Sequence, residues 1–452
     1  GYTLKDSYSQ GYVSDPVTWD AINTSLASDA EAIINTYDGL MEYDEEGELQ
    51  PALAESYEVS DDGLTYTFHI RQGVSWVDSQ GREVADVTAD DFVAGMQHMM
   101  DCQAGLEYLV QGIIVGADSY ISGETSDFSE VGVKAVDDYT LEYTLEQPTS
   151  YFMTMLGYGV FAPMSRSYYE SQGGKFGVEF DSSASDYTYG KDSNSIAYCG
   201  LYLVTSSTEK NSIIFELNES YWNAANVANK KITWVFIDGT DATKAYNDAV
   251  AGIVDGCNLT TSALELAKND GNFDEYAFIG GTDATSFSAF VNLNRNAFYN
   301  FNDSSTAVSE KSTDEQARTN QAVQNVHFRR ALAMSFDRGQ YNACRYGEDL
   351  KYNALRNSYT PGNFVSLSKD VTVSINGEDV TFPAGTNFGE IEQAQIDADG
   401  VKITVFDKDS TNDQQSDGFD GWYNVDNARE EMAQAVEELK AEGLEITAEN
   451  PI

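Results

Sequence analysis

The chain has 452 residues, 41% apolar and 12% aromatic, which is enough to build two or three folded domains. Its 74 acidic residues far outnumber its 26 basic ones, and the formal net charge of −48 argues against nucleic acid and anionic lipid headgroups as partners. No apolar run approaches the roughly 20 residues that span a bilayer. We interpret the charge as a solvated surface, with selection of cationic ligands as the alternative.

Helix and hairpin patterns alternate at the start of the chain. Residues 30–43, AEAIINTYDGLMEY, carry apolar side chains at helical spacing and predict a helix. In the stretch AESYEVSDDGLTYTFHIRQGVSW, Tyr66, Phe68 and Ile70 alternate with polar side chains, which predicts a strand with one buried face. The Asp-Asp-Gly at 61–63 supplies the turn from a preceding strand, so the stretch predicts a hairpin.

A second helix and a second hairpin follow. VTADDFVAGMQHMMD has Thr88 as N-cap and Asp91 three residues later, close to the capping-box pattern, and predicts a helix. VKAVDDYTLEYTLEQP alternates on both sides of its Asp-Asp pair and ends at Pro148, which cannot continue a central strand. This second motif therefore predicts a hairpin.

Beyond residue 150 the patterns become shorter. They predict strands from Ser212, Lys230 and Ser286, and helices at 244–253, from Val326 and from Val425. They also predict a surface loop at 299–324 and a surface region at 345–421 with strand signals in VTVSI and VKITVF. The last helix is expected to close at Gly443, because glycine suits the left-handed C-cap.

No motif in the sequence points to catalysis or to a bound cofactor. His69, His98 and His327 lie far apart, and none belongs to a zinc-binding spacing such as HExxH. Neither a G-x-S-x-G nucleophile elbow nor a G-x-x-x-x-G-K-[ST] phosphate loop occurs. We therefore predict no enzyme activity, no metal site and no cofactor.

The four cysteines are too few and too scattered for a disulfide framework, and none lies in a CxxC pair. They are Cys102, Cys199, Cys257 and Cys344. We predict buried free thiols, with a bridge between Cys199 and Cys257 as the alternative.

Nine stretches follow one another in a fixed order: YDGLMEYDEEGELQPALAESYEVSDDGLTYTFHIRQGVSWVDSQG, VTADDFVAGMQ, GVKAVDDYTLEYTLEQPTSYFMTML, CGLY, FELNESYWNAA, AGIVDG, NLNRNAF, VHFRRALAMSFDR and YNVDNAREEM. Together they resemble the bacterial extracellular solute-binding proteins of the oligopeptide- and dipeptide-binding family (family 5), the receptors of ABC importers. Each stretch is loose alone, and their shared order over nearly the whole chain makes the resemblance specific.

The resemblance implies a mixed α/β protein with a two-lobed, periplasmic-binding-protein-like fold (type II, three-domain) and a hinge. Residues 1–43 and 156–284 would form the first lobe, with residues 44–155 as an accessory domain packed on it. Residues 285–452 would form a second lobe that is incomplete at its C-terminus. The 54–76 hairpin would then be scaffold of the accessory domain.

The resemblance also implies an extracytoplasmic receptor that captures oligopeptides between its lobes and delivers them to the permease subunits of an ABC transporter. It implies a monomer in the periplasm or on the extracellular face of the cell membrane, held there by a lipid anchor upstream of Gly1. A bound peptide would pair its backbone with strand edges and place its side chains in hydrated pockets. The residues matched to ligand contacts are Asp15, Pro16, Val17, Tyr108, Cys199, Gly200, Tyr202 and Phe287.

Several alternatives stay open at this point. Core packing is the other role for each matched aromatic side chain. The same fold could hold an oligosaccharide, a metal chelate or another small nutrient, since 28 tyrosines suit sugar stacking as well as peptide contact. A sensor that binds a signalling peptide without transport is a further reading, and a carboxylate-dependent hydrolase is the rival from another class.

Overall fold

A computed structural model describes most of the chain. The described residues are 5–44, 47–280, 285–293, 299–300, 303–307, 311–353, 355–362, 364–410 and 415–452. They divide into two compact units, with the break between Leu259 and Thr260. The three-domain boundaries expected from the sequence stay a prediction. No helix within the described ranges is both long and apolar enough to cross a membrane.

The first unit contains six helices and twelve strands in its described part. Its helices are α1 (Ala27–Ile33), α2 (Ala89–Cys102), α3 (Ala117–Ile121), α4 (Phe152–Met155), α5 (Arg166–Ser171) and α6 (Lys244–Val250). Its strands are β1 (Ser7–Tyr12), β2 (Met41–Tyr43), β3 (Leu49–Pro51), β4 (Ala54–Val59), β5 (Thr65–Ile70), β6 (Ser75–Val77), β7 (Glu83–Asp86), β8 (Val133–Asp137), β9 (Thr140–Thr144), β10 (Tyr202–Thr208), β11 (Ser212–Leu217) and β12 (Lys231–Phe236).

The second unit is richer in helix. Its helices are α7 (Thr261–Asn269), α8 (Phe273–Tyr276), α9 (Thr313–Gln324), α10 (Val326–Ser335), α11 (Arg338–Tyr346), α12 (Phe388–Ala398) and α13 (Val425–Ala441). Its strands form two short antiparallel pairs: β13 (Tyr299–Asn300) with β14 (Asp303–Ala307), and β15 (Val371–Ile375) with β16 (Glu378–Phe382).

The sheet that positions the candidate site has the order β1-β12-β11-β10. β1 and β12 are parallel, whereas β10–β11 and β11–β12 are antiparallel. Phe215 and Trp234 pack edge to face, with 5.3 Å between their ring centroids, and both belong to the hydrophobic core on this sheet. The strands predicted from Ser212 and Lys230 are thereby confirmed.

A second four-stranded sheet, β4-β5-β9-β8, contains both predicted hairpins. Tyr66, Phe68 and Ile70 are buried as the alternation indicated, because α2 and its neighbours cover that face. The predicted capping box of α2 is present, with the Thr88 side chain and the Asp91 carboxylate bonding reciprocally to the backbone. This helix and both hairpins are confirmed.

A cluster of polar and aromatic side chains joins the residue that follows β5 to the segment after β11. The Arg71 guanidinium lies 3.9 Å from the ring centroid of Trp222, within the range of a cation–π contact. The Trp222 indole N–H donates to the buried Asp38 carboxylate at 2.7 Å. Burial raises the pKa of Asp38, and the hydrogen bond from Trp222 opposes that rise.

In the second unit, α10 and α13 pack together around Phe328, Ala435 and Leu439. The Asn424 side chain caps α13 by accepting hydrogen bonds from two backbone N–H groups, and Gly443 follows the helix at φ 91°. The helices predicted from Val326 and Val425, and the strand in VTVSI, are confirmed.

The predicted helix at 30–43 is wrong beyond Ile33. The backbone carbonyl of Thr36 accepts hydrogen bonds from the N–H groups of Cys199 and Gly200, so tertiary contacts replace the helical ladder there. Residues Met41–Tyr43 then form a strand paired with Leu49–Pro51. The local apolar spacing could not reveal these distant donors.

Three predictions for the second unit are also wrong. Much of the expected 299–324 loop is the helix α9, which starts at a Ser312–Glu315 capping box. The helix buries little beyond Ala322, so its sequence shows only weak apolar periodicity and did not predict a helix. The described part of the strand expected from Ser286 has no strand partner. The VKITVF strand is absent because the Gln393 side chain, rather than another strand, accepts from two of its N–H groups.

The four cysteines are free, so the Cys199–Cys257 bridge is absent. Cys199 is buried as expected, whereas Cys344 is exposed and does not fit the prediction of buried thiols. Burial raises the pKa of the Cys199 thiol well above its usual range.

Candidate functional site

A cavity of about 590 Å³ lies along the second half of β10 in the first unit. β10 is an end strand of its sheet, so one edge of it has no partner strand among the described residues. The lining residues are Asp15, Pro16, Trp19, Lys191, Asp192, Ser193, Asn194, Val204, Thr205, Ser206, Ser207 and Glu209. An open strand edge beside a polar cavity is suited to bind an extended chain.

A β-bulge interrupts β10 where it lines this cavity. The register with β11 shifts between Val204 and Ser206, which leaves Thr205 without an opposite residue. Thr205 is exposed, whereas Val204 is buried. Bulges of this kind end regular pairing and re-aim side chains, and they are frequent next to binding sites.

The loop at 13–17 is held against the β10–β11 turn by the Asp15 carboxylate. One oxygen of Asp15 accepts from the Tyr12 hydroxyl at 2.8 Å, and the other accepts from the backbone N–H of Lys210 at 2.9 Å. The N–H of Val17 donates to the Asp29 carboxylate at 2.8 Å. Burial and then Asp15 raise the pKa of Tyr12, which keeps its hydroxyl a donor. The loop is therefore fixed before any ligand arrives.

The charge of the lining is negative. The lining contains three carboxylates, Asp15, Asp192 and Glu209, and a single ammonium group, that of Lys191. Both Asp15 oxygens and one Asp192 oxygen already accept hydrogen bonds from the chain. Such a lining favours ligands with a cationic group, because complementary charge steers and orients a partner.

Tyr202 is the first residue of β10, Cys199 and Gly200 come just before it, and all three are buried. A side-chain carbon at Gly200 would lie 2.5 Å from the backbone nitrogen of Tyr37, so glycine is needed for this close approach. The Tyr202 hydroxyl donates to the carbonyl of Asn229 at 2.9 Å. These residues support the site as scaffold, and their direct contact with a ligand stays a prediction.

The other two matched aromatics are exposed and are not among the residues that line this cavity. Tyr108 sits in a short turn, Glu107–Leu109, with 66% of its surface accessible. Phe287 belongs to the second unit and is 96% accessible. The structure thus brings Asp15 and Pro16 to the cavity, with Val17 next to them, and leaves Tyr108 and Phe287 outside its lining.

Sequence reasoning missed most of the cavity wall. Trp19, the segment 191–194 and the bulged part of β10 carry no motif of their own. The strand–turn–strand pattern around Lys210 could have predicted a hairpin there, since Lys210 adopts φ 51° in the turn. That sequence pattern does not predict which of the two strands of the hairpin lies at the end of the sheet with an unpaired edge.

A largely buried cluster that is not part of the cavity lining unites Asp20, His98 and Cys102. His98 Nε2 lies 2.7 Å from an Asp20 carboxylate oxygen, while the Cys102 sulfur is 3.4 and 3.5 Å from the two ring nitrogens. If the sulfur lay in the plane of the imidazole ring at these two distances from the nitrogens, it would overlap a ring carbon. The sulfur therefore lies over the face of the ring. The cluster is a hydrogen-bonded pair within a cage of Tyr169, Phe180 and Tyr189.

Comparison with known proteins identifies the family. The family model "Bacterial extracellular solute-binding proteins, family 5 Middle" matches residues 48–450. The chain belongs to this family. Its members are solute-binding proteins, and this match confirms the family that the sequence motifs indicated.

Among curated relatives, the oligopeptide-binding protein SarA of Streptococcus gordonii is 34% identical over 438 residues, which are 96% of this chain and 59% of that protein. The chain thus spans about three-fifths of the length of the relative. The substrate-binding domain of an oligopeptide ABC transporter from Bacillus anthracis is 27% identical, with a TM-score of 0.51, over 59% of this chain and 48% of that one.

The Listeria monocytogenes OppA structure, solved with bound peptide, covers 97% of this chain and 74% of its own. Its TM-score is 0.55 at 18% identity, which is evidence for the fold alone. The fold is therefore the mixed α/β, periplasmic-binding-protein-like fold of this family, as the sequence predicted.

Proposed function

We propose that this chain is the ligand-capturing part of an extracytoplasmic receptor that binds oligopeptides and delivers them to the permease of an ABC importer. The observation that carries the proposal is the polar cavity along the open end strand β10, in a chain 34% identical to an oligopeptide-binding protein. The function is binding rather than catalysis, with no cofactor. Attachment to the membrane by a lipid anchor and a monomeric state belong to the same proposal.

In this proposal the peptide adds to the free edge of β10 in an extended conformation. Backbone groups beyond the Thr205 bulge would supply main-chain hydrogen bonds, which do not depend on the side chains of the ligand. Bridging water would fill the remaining polar volume and permit broad sequence tolerance. The negative lining would attract the free amino terminus of the peptide.

Two sets of sequence-based predictions continue as proposals. Asp15, Pro16 and Val17 are proposed as ligand contacts through their backbone, because the Asp15 side chain is already committed to Tyr12 and Lys210. Tyr108, Cys199, Gly200, Tyr202 and Phe287 remain proposed contacts, as do the domain ranges 1–43 with 156–284, 44–155 and 285–452. Limited proteolysis would test the ranges, since cleavage is expected in the connecting segments.

Native mass spectrometry with a pool of randomised pentapeptides tests the function. We expect the pool to bind, and an N-acetylated copy of the same pool to bind more weakly because it lacks the ammonium group. A matched pool of linear hexose oligomers is the control for the sugar alternative. Binding of the hexose pool without binding of either peptide pool would overturn the proposal.

A further inference from the structure

The second unit contains a cavity of its own, with a volume of about 460 Å³. One wall is α12, and the facing wall is formed by residues 357–359, with Val405 and Trp422. The full lining is Asn357, Ser358, Tyr359, Ile391, Glu392, Gln395, Ile396, Val405 and Trp422. The volume falls within the range of small-molecule sites, which is about 300–1,000 Å³.

Hydrogen bonds fix the wall that faces α12. The Asn357 side chain donates to the carbonyls of Ser416 and Phe419 and accepts from the Arg338 guanidinium at 2.6 Å. The backbone carbonyl of Asn357 accepts from the indole N–H of Trp422 at 2.9 Å. The ring of Trp422 is thereby held in place in the lining, so this side of the cavity is formed in advance.

The α12 wall is fixed as well. The Gln393 side chain accepts from the backbone N–H groups of Val405 and Phe406, at 2.7 and 3.2 Å, and donates to the carbonyl of Ile403. This ties α12 to the segment that supplies Val405 to the lining. Both walls therefore keep their spacing without a bound ligand, which lowers the ordering cost of binding.

One carboxylate oxygen in this lining has no hydrogen-bond donor among the described residues. The Oε2 atom of Glu392 is buried and accepts no hydrogen bond from any part of the chain that the structure describes. Its neighbours in the cavity are mainly apolar, with Ile391, Ile396 and Val405 beside the aromatic Tyr359 and Trp422. Burial raises the pKa of Glu392, because an unpaired carboxylate is costly in such surroundings.

We infer that this cavity binds a small organic cation, a primary ammonium group on an apolar body, with Glu392 as the counter-charge. The ammonium group would lie beside the Glu392 carboxyl group, which is part of the lining, and would neutralise its charge. The faces of Trp422 and Tyr359 add cation–π attraction, and the aliphatic side chains take the apolar body. An anion of the same shape would be rejected, because two negative charges would share the cavity.

Isothermal titration calorimetry with the full chain tests this inference. The probes are 2-phenylethylammonium, 3-phenylpropionate and 2-phenylethanol, which share a phenyl ring and differ in charge. We expect the ammonium probe to bind at least about tenfold more tightly than the alcohol, and the carboxylate probe to bind least, since a charge-assisted hydrogen bond contributes a factor of this size.

Glu392→Gln keeps the side-chain shape and removes the charge, so it should weaken the ammonium probe about tenfold and leave the alcohol unchanged. Glu437→Gln is the matched control, because Glu437 is an exposed glutamate on another helix, α13. The melting temperature of Glu392→Gln should equal or exceed that of the parent chain, since the substitution removes a charge from a half-buried carboxyl group that has one oxygen without a hydrogen-bond donor. Unchanged affinity for the ammonium probe in Glu392→Gln overturns the inference.

A pH series on the parent chain gives a test that needs no variant. Glu392 and Tyr359 are the titratable side chains of the lining. Affinity for the ammonium probe should fall as Glu392 takes up its proton at acidic pH, and affinity for the alcohol should stay constant. A parallel fall for both probes, or equal affinity for both at neutral pH, contradicts the inference. Pentapeptide binding should be the same in Glu392→Gln, so the two proposals can fail separately.

Discussion

Replacing Asp15 with alanine tests how the 13–17 loop supports the cavity. The substitution removes two hydrogen bonds, one from the Tyr12 hydroxyl and one from the Lys210 N–H. Asp15 is half-buried, so we assign about 1 kcal/mol to each, which is less than a fully buried charged acceptor would contribute. A total of about 2 kcal/mol corresponds to a fall of roughly 4–8 °C in the melting temperature of a unit of this size.

Thermal unfolding followed by circular dichroism measures the first effect, and titration with the pentapeptide pool measures the second. We expect the affinity for the pool to fall about tenfold, because the loop no longer holds its place against the β10–β11 turn. Asp61→Ala is the matched control, since Asp61 is exposed in the β4–β5 turn. A melting temperature and an affinity that both match the parent chain would refute the role assigned to Asp15.

Three further predictions concern the scaffold around the site. Gly200→Ala places a carbon 2.5 Å from the Tyr37 backbone and should cost about 1–3 kcal/mol in a urea unfolding curve, whereas an unchanged midpoint would disprove the close approach. Trp222→Phe removes the donor to Asp38 and should lower the free energy of unfolding by about 1–3 kcal/mol, with no change arguing against that bond. Burial raises the pKa of Asp91 to about 6 from 3.8, so its folded state binds the proton more tightly. Stability from this group is present below about pH 4 and is lost as pH rises through 6. Relative to Asp91→Asn, the parent chain should lose about 2 kcal/mol between pH 4 and 7, and parallel pH profiles would contradict this.

Local patterns predicted the elements whose environment is uniform along their length. Tyr66, Phe68 and Ile70 alternate because the sheet has one covered and one open face, and that requirement acts on every second residue. Thr88 and Asp91 mark the start of α2 because a helix end leaves N–H groups that nearby side chains can satisfy. Both signals depend on residues that are close in the sequence, so the strand and the helix start can be predicted without a structure.

Predictions failed where distant groups replaced local partners. Thr36 leaves the helical ladder because the backbone of Cys199 and Gly200 donates to its carbonyl. The VKITVF segment is buried in the second unit, yet its backbone bonds to the side chain of Gln393 rather than to a strand. The apolar pattern of each segment reflects burial of its side chains, but it does not specify which group its backbone hydrogen-bonds to.

The candidate site was only partly predictable for the same reason. Asp15 and Pro16 were found through the resemblance to the family, and they do line the cavity. Asp15 meets Lys210 across 195 positions of sequence, so no local signal connects them. The Asp20–His98 pair likewise unites residues 78 positions apart. Contacts of this kind follow from the fold and have no spacing that a sequence pattern could display.

The measurement that tests the central claim most directly is hydrogen exchange of the full chain, alone and saturated with the pentapeptide pool. If the peptide adds to the open edge of β10, amide exchange should slow in residues 204–209 and 13–17, while the confirmed hairpin at 54–70 should be unaffected. Unchanged exchange along β10 in a chain that binds the pool would contradict the account, because the peptide would then lie elsewhere.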